Sequence, residues 1–227
     1  MLSLYGLRKV NHLKRAFPRV FLMLVCVIVG FFIASVIYAV TGFSMLGRAP
    51  EKPSASVDVN NAGLTELAYD VLVYIRDGDF VALSHTIHPD FGVVFSPQAT
   101  VTLSTNRRFS AVQVADFAND ANAYFWGFRN GSGEPIEITP VEYFETYVYS
   151  KDYFNASLVG VNRIVRSGNA LENMTEEFPG LKFVDFHIPG GERDTPEEFD
   201  WSSLRLGFEE HEGVLWLTVI INSKWTV

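Results

Sequence analysis

From Val20 to Gly47 the chain carries no charged residue, and the five charges that precede it, Arg8, Lys9, Lys14, Arg15 and Arg19, are all basic. The core of this run, Val20–Phe43, reaches about 36 Å as a helix rising ~1.5 Å per residue. A bilayer's hydrocarbon core requires roughly 20 apolar residues, so the segment is long enough to span with some tilt. Neither face of the run is polar, which argues against a helix lying on a soluble core. It is longer than the apolar region of a cleaved signal peptide, and no A-x-A site succeeds it. Cys26, the single cysteine, lies in mid-run behind Val25, which reads as a thiol packed in a membrane helix. Basic flanks stay on the cytoplasmic side. The sequence therefore predicts a cytoplasmic tail over 1–19, a single-pass cell-membrane anchor over 20–43, a linker over 44–60 and an extracytoplasmic domain over 61–227. Membrane lipid, met through this helix, is the first expected partner.

The net charge of −8 hides an asymmetry: the tail carries +5, which leaves −13 to residues 20–227. An exterior this acidic lacks the basic footprint that nucleic acid demands. Residues 48–60, RAPEKPSASVDVN, combine two prolines with small polar residues and no apolar periodicity, as a stalk does. Residues 61–227 amount to one domain of ordinary size, large enough for a substantial core, and it must hold together without disulfides.

Leu64, Leu67, Ala68, Val71, Leu72 and Ile75 recur at helical spacing, predicting a helix over 61–76 capped by Asn60 or Asn61 and ended by Asp77-Gly78. Asp79 should cap a second helix, FVALSHTIH, that Pro89 stops. A strand is expected over FGVVFSPQATVTLS from Phe91, and Ser110-Ala-Val-Gln113 resembles a capping box that opens a small helix through Ala118. An aromatic strand comes next over Tyr124–Phe128, and then Ile136–Ile138. Thr139-Pro-Val-Glu142 has a capping residue, proline at the first helical position and a glutamate three residues on. Lys182–Ile188 and Ser203–Glu209 read as strands, with Leu204, Leu206 and Phe208 inward. Glu212-Gly213 supports a hairpin turn. Val214–Ile221, apolar on both sides, reads as a central strand. The order predicts an α+β fold: a curved, mainly antiparallel sheet packed on N-terminal helices.

Two stretches carry a resemblance. One is the opening helix with its break at Asp77-Gly78-Asp79-Phe80 and His88-Pro89 leading into a strand. The other is the closing hairpin SLRLGFEEHEGVLWLTVIINSKWTV. Together they resemble the nuclear-transport-factor-two-like (cystatin-like) superfamily over about 61–227. The stretch WGFRNGSGEPIEITPVEYFETYVYSKDYF also looks like a group of uncharacterised exported proteins of Gram-positive bacteria. The superfamily resemblance implies a cone-like fold with a pocket. It does not choose a function, because the superfamily holds both enzymes and binding modules.

Chemistry-bearing residues are few. His85 and His88, three apart on an expected helix with Asp90 nearby, form at most a partial ligand set, and no metal is expected. Asp185 and His187 share one face of a strand. In this superfamily such a pair in a cone serves general acid–base work, which makes them the candidate catalytic residues. Aromatic residues crowd Tyr124–Phe154, and Trp126, Tyr143, Tyr147 and Trp216 are the candidate ligand-pocket residues. No pattern demands a cofactor. The expectation is a membrane-anchored extracytoplasmic binding or interaction module without evident catalysis, holding a protein partner or a small ligand and no nucleic acid. One alternative is a scaffold subunit of an envelope or secretion complex. Type IV secretion scaffolds resemble this chain in having a basic tail, one span and a domain of this superfamily, although their Asn-Pro-x-Gly signature is absent here. The other is a small-molecule isomerase or hydrolase-type enzyme using a cone pocket.

Overall fold

The computed structural model describes residues 59–192 and 194–225. The expected tail, anchor and most of the linker lie outside the described residues, and among those described no helix is long and apolar enough to cross a membrane. The domain is α+β with a mostly antiparallel sheet. Helices α1 (Val59–Asp77) and α2 (Phe80–Ser84) come first, succeeded by strands β1 (Val93–Ser96) and β2 (Arg107–Phe109) and helix α3 (Ala111–Ala115). Strands β3 (Tyr124–Phe128) and β4 (Pro135–Ile138) form a separate two-stranded hairpin, and α4 (Pro140–Tyr143) runs on into a π-helical turn over Phe144–Val148. Then come β5 (Leu158–Val161), α5 (Met174–Glu177), β6 (Lys182–Ile188), β7 (Ser202–His211) and β8 (Val214–Lys224). The main sheet has the order β2-β1-β8-β7-β6-β5, antiparallel throughout except where β1 pairs with β8.

Helix α1 buries Leu64, Ala68, Val71, Leu72 and Ile75, one stripe at helical spacing. It starts at Val59, two residues before the expected boundary, so Asn60 and Asn61 lie inside the helix, past the capping position. It ends as expected. Gly78 takes φ +66°, and the amides of Gly78 and Asp79 donate to the carbonyls of Ile75 and Tyr74 at 3.3 and 2.9 Å. The Asp79 carboxylate accepts the Ala82 amide at 2.9 Å. The second helix is only five residues long, shorter than FVALSHTIH. Leu217 donates to the Thr86 carbonyl at 2.7 Å and accepts from the His88 amide at 3.0 Å. This draws Ile87 into a bridge with Leu217, and tertiary pairing overrides the local helical pattern. His85 and His88 therefore do not share a helical face.

The strand expected from Phe91 to Ser104 stops at Ser96, because Pro97 has no amide to give a sheet. Val101, buried though outside any strand, is held instead by Asn173. That side chain accepts the Val101 amide and donates to its carbonyl, both at 2.8 Å. Both expected capping boxes form, Ser110 with Gln113 and Thr139 with Glu142. Glu212 (φ +51°) and Gly213 (φ +78°) make the tight turn between β7 and β8.

Both faces of the main sheet are covered. One carries Val184, Phe186, Leu204, Leu206, Phe208 and Ile220 against α1, α2 and the β3–β4 hairpin, forming the larger core. The other carries Val94, Phe183, Val219 and Ile221 against Val101, Met174, Phe178 and Leu181. Gly207 lets this second layer approach. A methyl group there would lie 2.6 Å from both Leu181 Cδ2 and Val219 Cγ1.

Candidate functional site

Strands β6 and β7 pair so that Asp185 faces Arg205 and His187 faces Ser203. All four are buried at 2 % exposure or less. Asp185 Oδ2 accepts the Val165 amide at 2.9 Å and the Arg205 Nε–H at 3.3 Å. The other end of the guanidinium engages Glu172 in a two-pronged pair, Nη2 to Oε1 at 3.0 Å and Nη1 to Oε2, and Nη2 also donates to the Arg166 carbonyl at 3.2 Å. The fork geometry of arginine suits this double carboxylate role. Asp185 Oδ1 has no hydrogen-bond partner.

His187 Nδ1 lies 2.9 Å from Ser203 Oγ, and its ring sits 5.7 Å from that of Trp201. The two candidate catalytic residues are thus neighbours on one face, as their spacing implies. The bonds of Asp185, however, go to Val165 and Arg205. A hydroxyl–imidazole pair is the beginning of a nucleophilic site, yet here it lies under Trp201 and lines neither of the surface clefts described below.

Burial, together with the nearby Arg166 and Arg205 charges, lowers the His187 pKa from its ordinary 6.5, outweighing the opposing pull of Asp185. A folded-state value below the unfolded one means that the unfolded chain binds the proton more readily. This contribution to stability is present in full above pH 6.5 and declines as pH falls through the folded value. We expect the urea midpoint of the full chain to drop on acidification below pH 6.5, and His187→Gln to flatten that segment of the profile. An unchanged slope in the variant would assign the pH dependence to other groups.

The aromatic candidates separate into two places. Trp126, Tyr143 and Tyr147 come together. Trp126 stacks on Tyr143 with centroids 3.8 Å apart and planes at 10°, and Tyr143 stacks on Tyr147 at 5.2 Å. Around them Phe95 meets Phe109, Trp126 and Tyr143 edge to face. Trp126 is fully buried and its Nε1–H donates to the Ile138 carbonyl at 2.8 Å. These rings fill the space between sheet and helices with side chains, which leaves Tyr147 alone of the three lining a cavity. Trp216 stands apart, half-buried and opposite Glu209 near the β7–β8 turn.

His85 is exposed, whereas His88 is buried and its Nδ1 accepts the amides of Asp90 and Phe91 at 3.3 and 3.1 Å. Among the described residues no three histidine, cysteine or carboxylate side chains converge as a metal set would.

Two of the clefts among the described residues contain cations. The larger, about 460 Å³, runs along β2 and is lined by Phe91, Leu103, Ser104, Thr105, Arg107, Arg108 and Phe125 among others. Strand β2 is the edge of the main sheet, with β1 as its only partner there. Arg107 and Arg108 project from it to opposite sides. Arg107 lies 4.9 Å above the Tyr124 ring, and Arg108 lies 4.9 Å above Phe91. Both are exposed, and the ion pairs among the described residues involve neither. The smaller cleft, about 160 Å³, contains Arg129, Lys224 and Tyr147.

Sequence reasoning passed over these cations. One signal was available: Arg107-Arg108 is the only adjacent pair of basic residues between 61 and 227. Comparison with known proteins yields no matching family model, curated protein or solved structure.

Proposed function

We propose that the protein is a single-pass membrane protein whose exported domain binds an acidic polypeptide segment along β2 and carries out no chemistry on it. The apolar run Val20–Phe43 with its five preceding basic residues supports the anchor and its orientation. The helix–break–helix–strand opening and the long β7–β8 hairpin support the nuclear-transport-factor-two-like reading of the domain. On that reading the interior of the cone is occupied by Trp126, Tyr143, Phe95 and their neighbours, so recognition falls to the outer surface.

The observation that carries the reading is the unpaired arginine couple on an open sheet edge. An edge strand offers main-chain donors and acceptors to an incoming extended segment. Arg107 and Arg108, already ordered by the rings beneath them, face that segment from either side. Their charge stands out against a domain that is otherwise strongly acidic, so the complement is an acidic segment. Phe91, Leu103 and Phe125 give its apolar side chains a surface.

The test uses a labelled heptapeptide of alternating glutamate with valine or phenylalanine, presented to right-side-out and inverted membrane vesicles carrying the full chain. Saturable, salt-sensitive binding is expected on right-side-out vesicles. Arg107→Glu/Arg108→Glu should weaken it by at least about tenfold, since each charge-assisted contact is worth ~1.5–3 kcal/mol. Binding confined to inverted vesicles would reverse the orientation. An unaffected double variant, or a lysine-containing peptide bound equally well, would remove the cleft from the account.

A further inference from the structure

The smaller cleft lies on other elements and has a different chemistry. Its floor is Tyr147, held in the π-helical turn after α4 and only 5 % exposed. Lys224, the last residue of β8, extends over this ring with Nζ 5.4 Å from its centroid. Arg129 enters from the β3–β4 hairpin. There the Arg129 amide donates to the Glu134 carbonyl at 2.7 Å and the Gly133 amide donates back at 3.0 Å, which closes the tip. The side chains of Gln98, Asn130 and Ser132 complete a polar rim.

Two cations therefore share a pocket of about 160 Å³. Their compensation is incomplete. Glu134 Oε2 stands 3.9 Å from Arg129 Nε with both side chains exposed, a distance at which an ion pair contributes little. Asp200 is engaged by Lys151 at 3.1 Å. Lys224 lies over the face of an aromatic ring, and the carboxylate that attracts it, Asp200, is shared with Lys151. Desolvation, reinforced by the Arg129 and Lys151 charges and only partly opposed by Asp200, lowers the Lys224 pKa from its ordinary 10.5. An ammonium so placed gains from any anion that enters. The space fits a compact multi-acceptor group better than an extended chain.

We infer that the Arg129–Lys224 pocket is a binding site for a phosphoryl group, independent of the cleft along β2. Arginine supplies a planar fork of donors and lysine a point charge, the combination that suits a tetrahedral oxyanion. Gln98, Asn130 and Ser132 at the rim add amide and hydroxyl groups to the pocket's lining. Two sources share this chemistry: free inorganic phosphate, and the phosphate monoester head of a larger molecule such as a lipid.

The experiment is calorimetric titration of the full chain, in a phosphate-free glycoside detergent, with inorganic phosphate, with glycerol 1-phosphate and with acetate. Saturable binding of phosphate or glycerol phosphate is expected, with acetate weaker by at least about tenfold. Lys224→Met and Arg129→Gln should each reduce affinity about tenfold or more, equivalent to ~1.4 kcal/mol, while Arg107→Glu/Arg108→Glu leaves it unchanged. Tighter binding of glycerol phosphate than of phosphate would identify an organic phosphate monoester as the source, and the reverse would identify the free ion. Acetate binding as well as phosphate would overturn the phosphoryl assignment. Equal affinity in wild type and Lys224→Met, with unchanged circular dichroism, would overturn the site. Because the Arg107/Arg108 variant reports on the other cleft, loss of one reading leaves the other standing.

Discussion

Arg205→Met is expected to destabilise the domain by about 3–5 kcal/mol, the usual consequence of stranding a buried charge. The guanidinium is fully buried and bridges Asp185 and Glu172. Its removal affects the two carboxylates unequally. Glu172, 16 % exposed, can turn towards water, whereas Asp185 at 0 % cannot, and one of its oxygens is unpartnered already. A companion variant separates the charge from the packing. Asp185→Leu combined with Arg205→Met removes both buried partners and should recover part of the loss, because a buried ion pair replaced by well-packed apolar groups is often neutral or better. Urea unfolding of the full chain, monitored by tryptophan fluorescence, measures both. A single-variant loss below about 1 kcal/mol, or no recovery in the double variant, would show that Arg205 is not the electrostatic centre of this layer.

Trp126→Ala should cost a similar amount, about 3–5 kcal/mol, for a different reason. Trp126 is 0 % exposed and lies within ring contact of Phe95, Phe109, Phe117, Tyr124 and Tyr143. Truncation leaves a cavity among side chains that cannot all collapse into it, and it orphans the Ile138 carbonyl that the indole N–H satisfied. Trp126→Phe keeps most of the volume but loses the hydrogen bond, so a smaller loss is expected. Near-ultraviolet circular dichroism should lose intensity together with stability. If Trp126→Ala unfolds at the wild-type midpoint, the cluster is not a packed core and a ligand-accessible interior must be reconsidered.

The contrast between these two residues shows what the sequence makes legible. Trp126 sits in an obvious aromatic strand, and that strand is where the structure has it. The aromatic crowding alone could not distinguish packing from a pocket, because rings that line a cavity and rings that fill it are the same residues. Arg205 was invisible for another reason. In Ser203–Glu209 the alternation of Leu204, Leu206 and Phe208 with polar residues reads as one buried and one wet face. The second face is wet only if nothing covers it. The covering layer comes from distant segments, Met174 to Leu181 and the loop around Val101, whose own sequence shows little periodicity. Short elements failed similarly. Strands β2 and β5 are three and four residues long, too brief for a pattern, and they are strands because β1 and β6 are there to pair with. Local chemistry with its own closed logic, such as the Asp79 cap, the Thr139 capping box and the Glu212-Gly213 turn, was readable in full.

The position of β8 has a consequence in time. The sheet places this strand, the final one described, between β1 and β7, with its residues 219–221 beside residues 94–96 in parallel register. Until Val214–Lys224 has left the ribosome, β1 has no inner neighbour and β7 has an open side. The domain therefore cannot mature segment by segment as it is made. About 120 residues of chain must wait for their keystone, and contacts spanning such a distance close slowly. During that interval two strands that the finished molecule hides, VVFS and SSLRLGFEEH, present bare edges to one another and to neighbouring copies. A nascent chain of this kind favours being held apart from its siblings until β8 has been made, and loss of that strand would be felt first as aggregation.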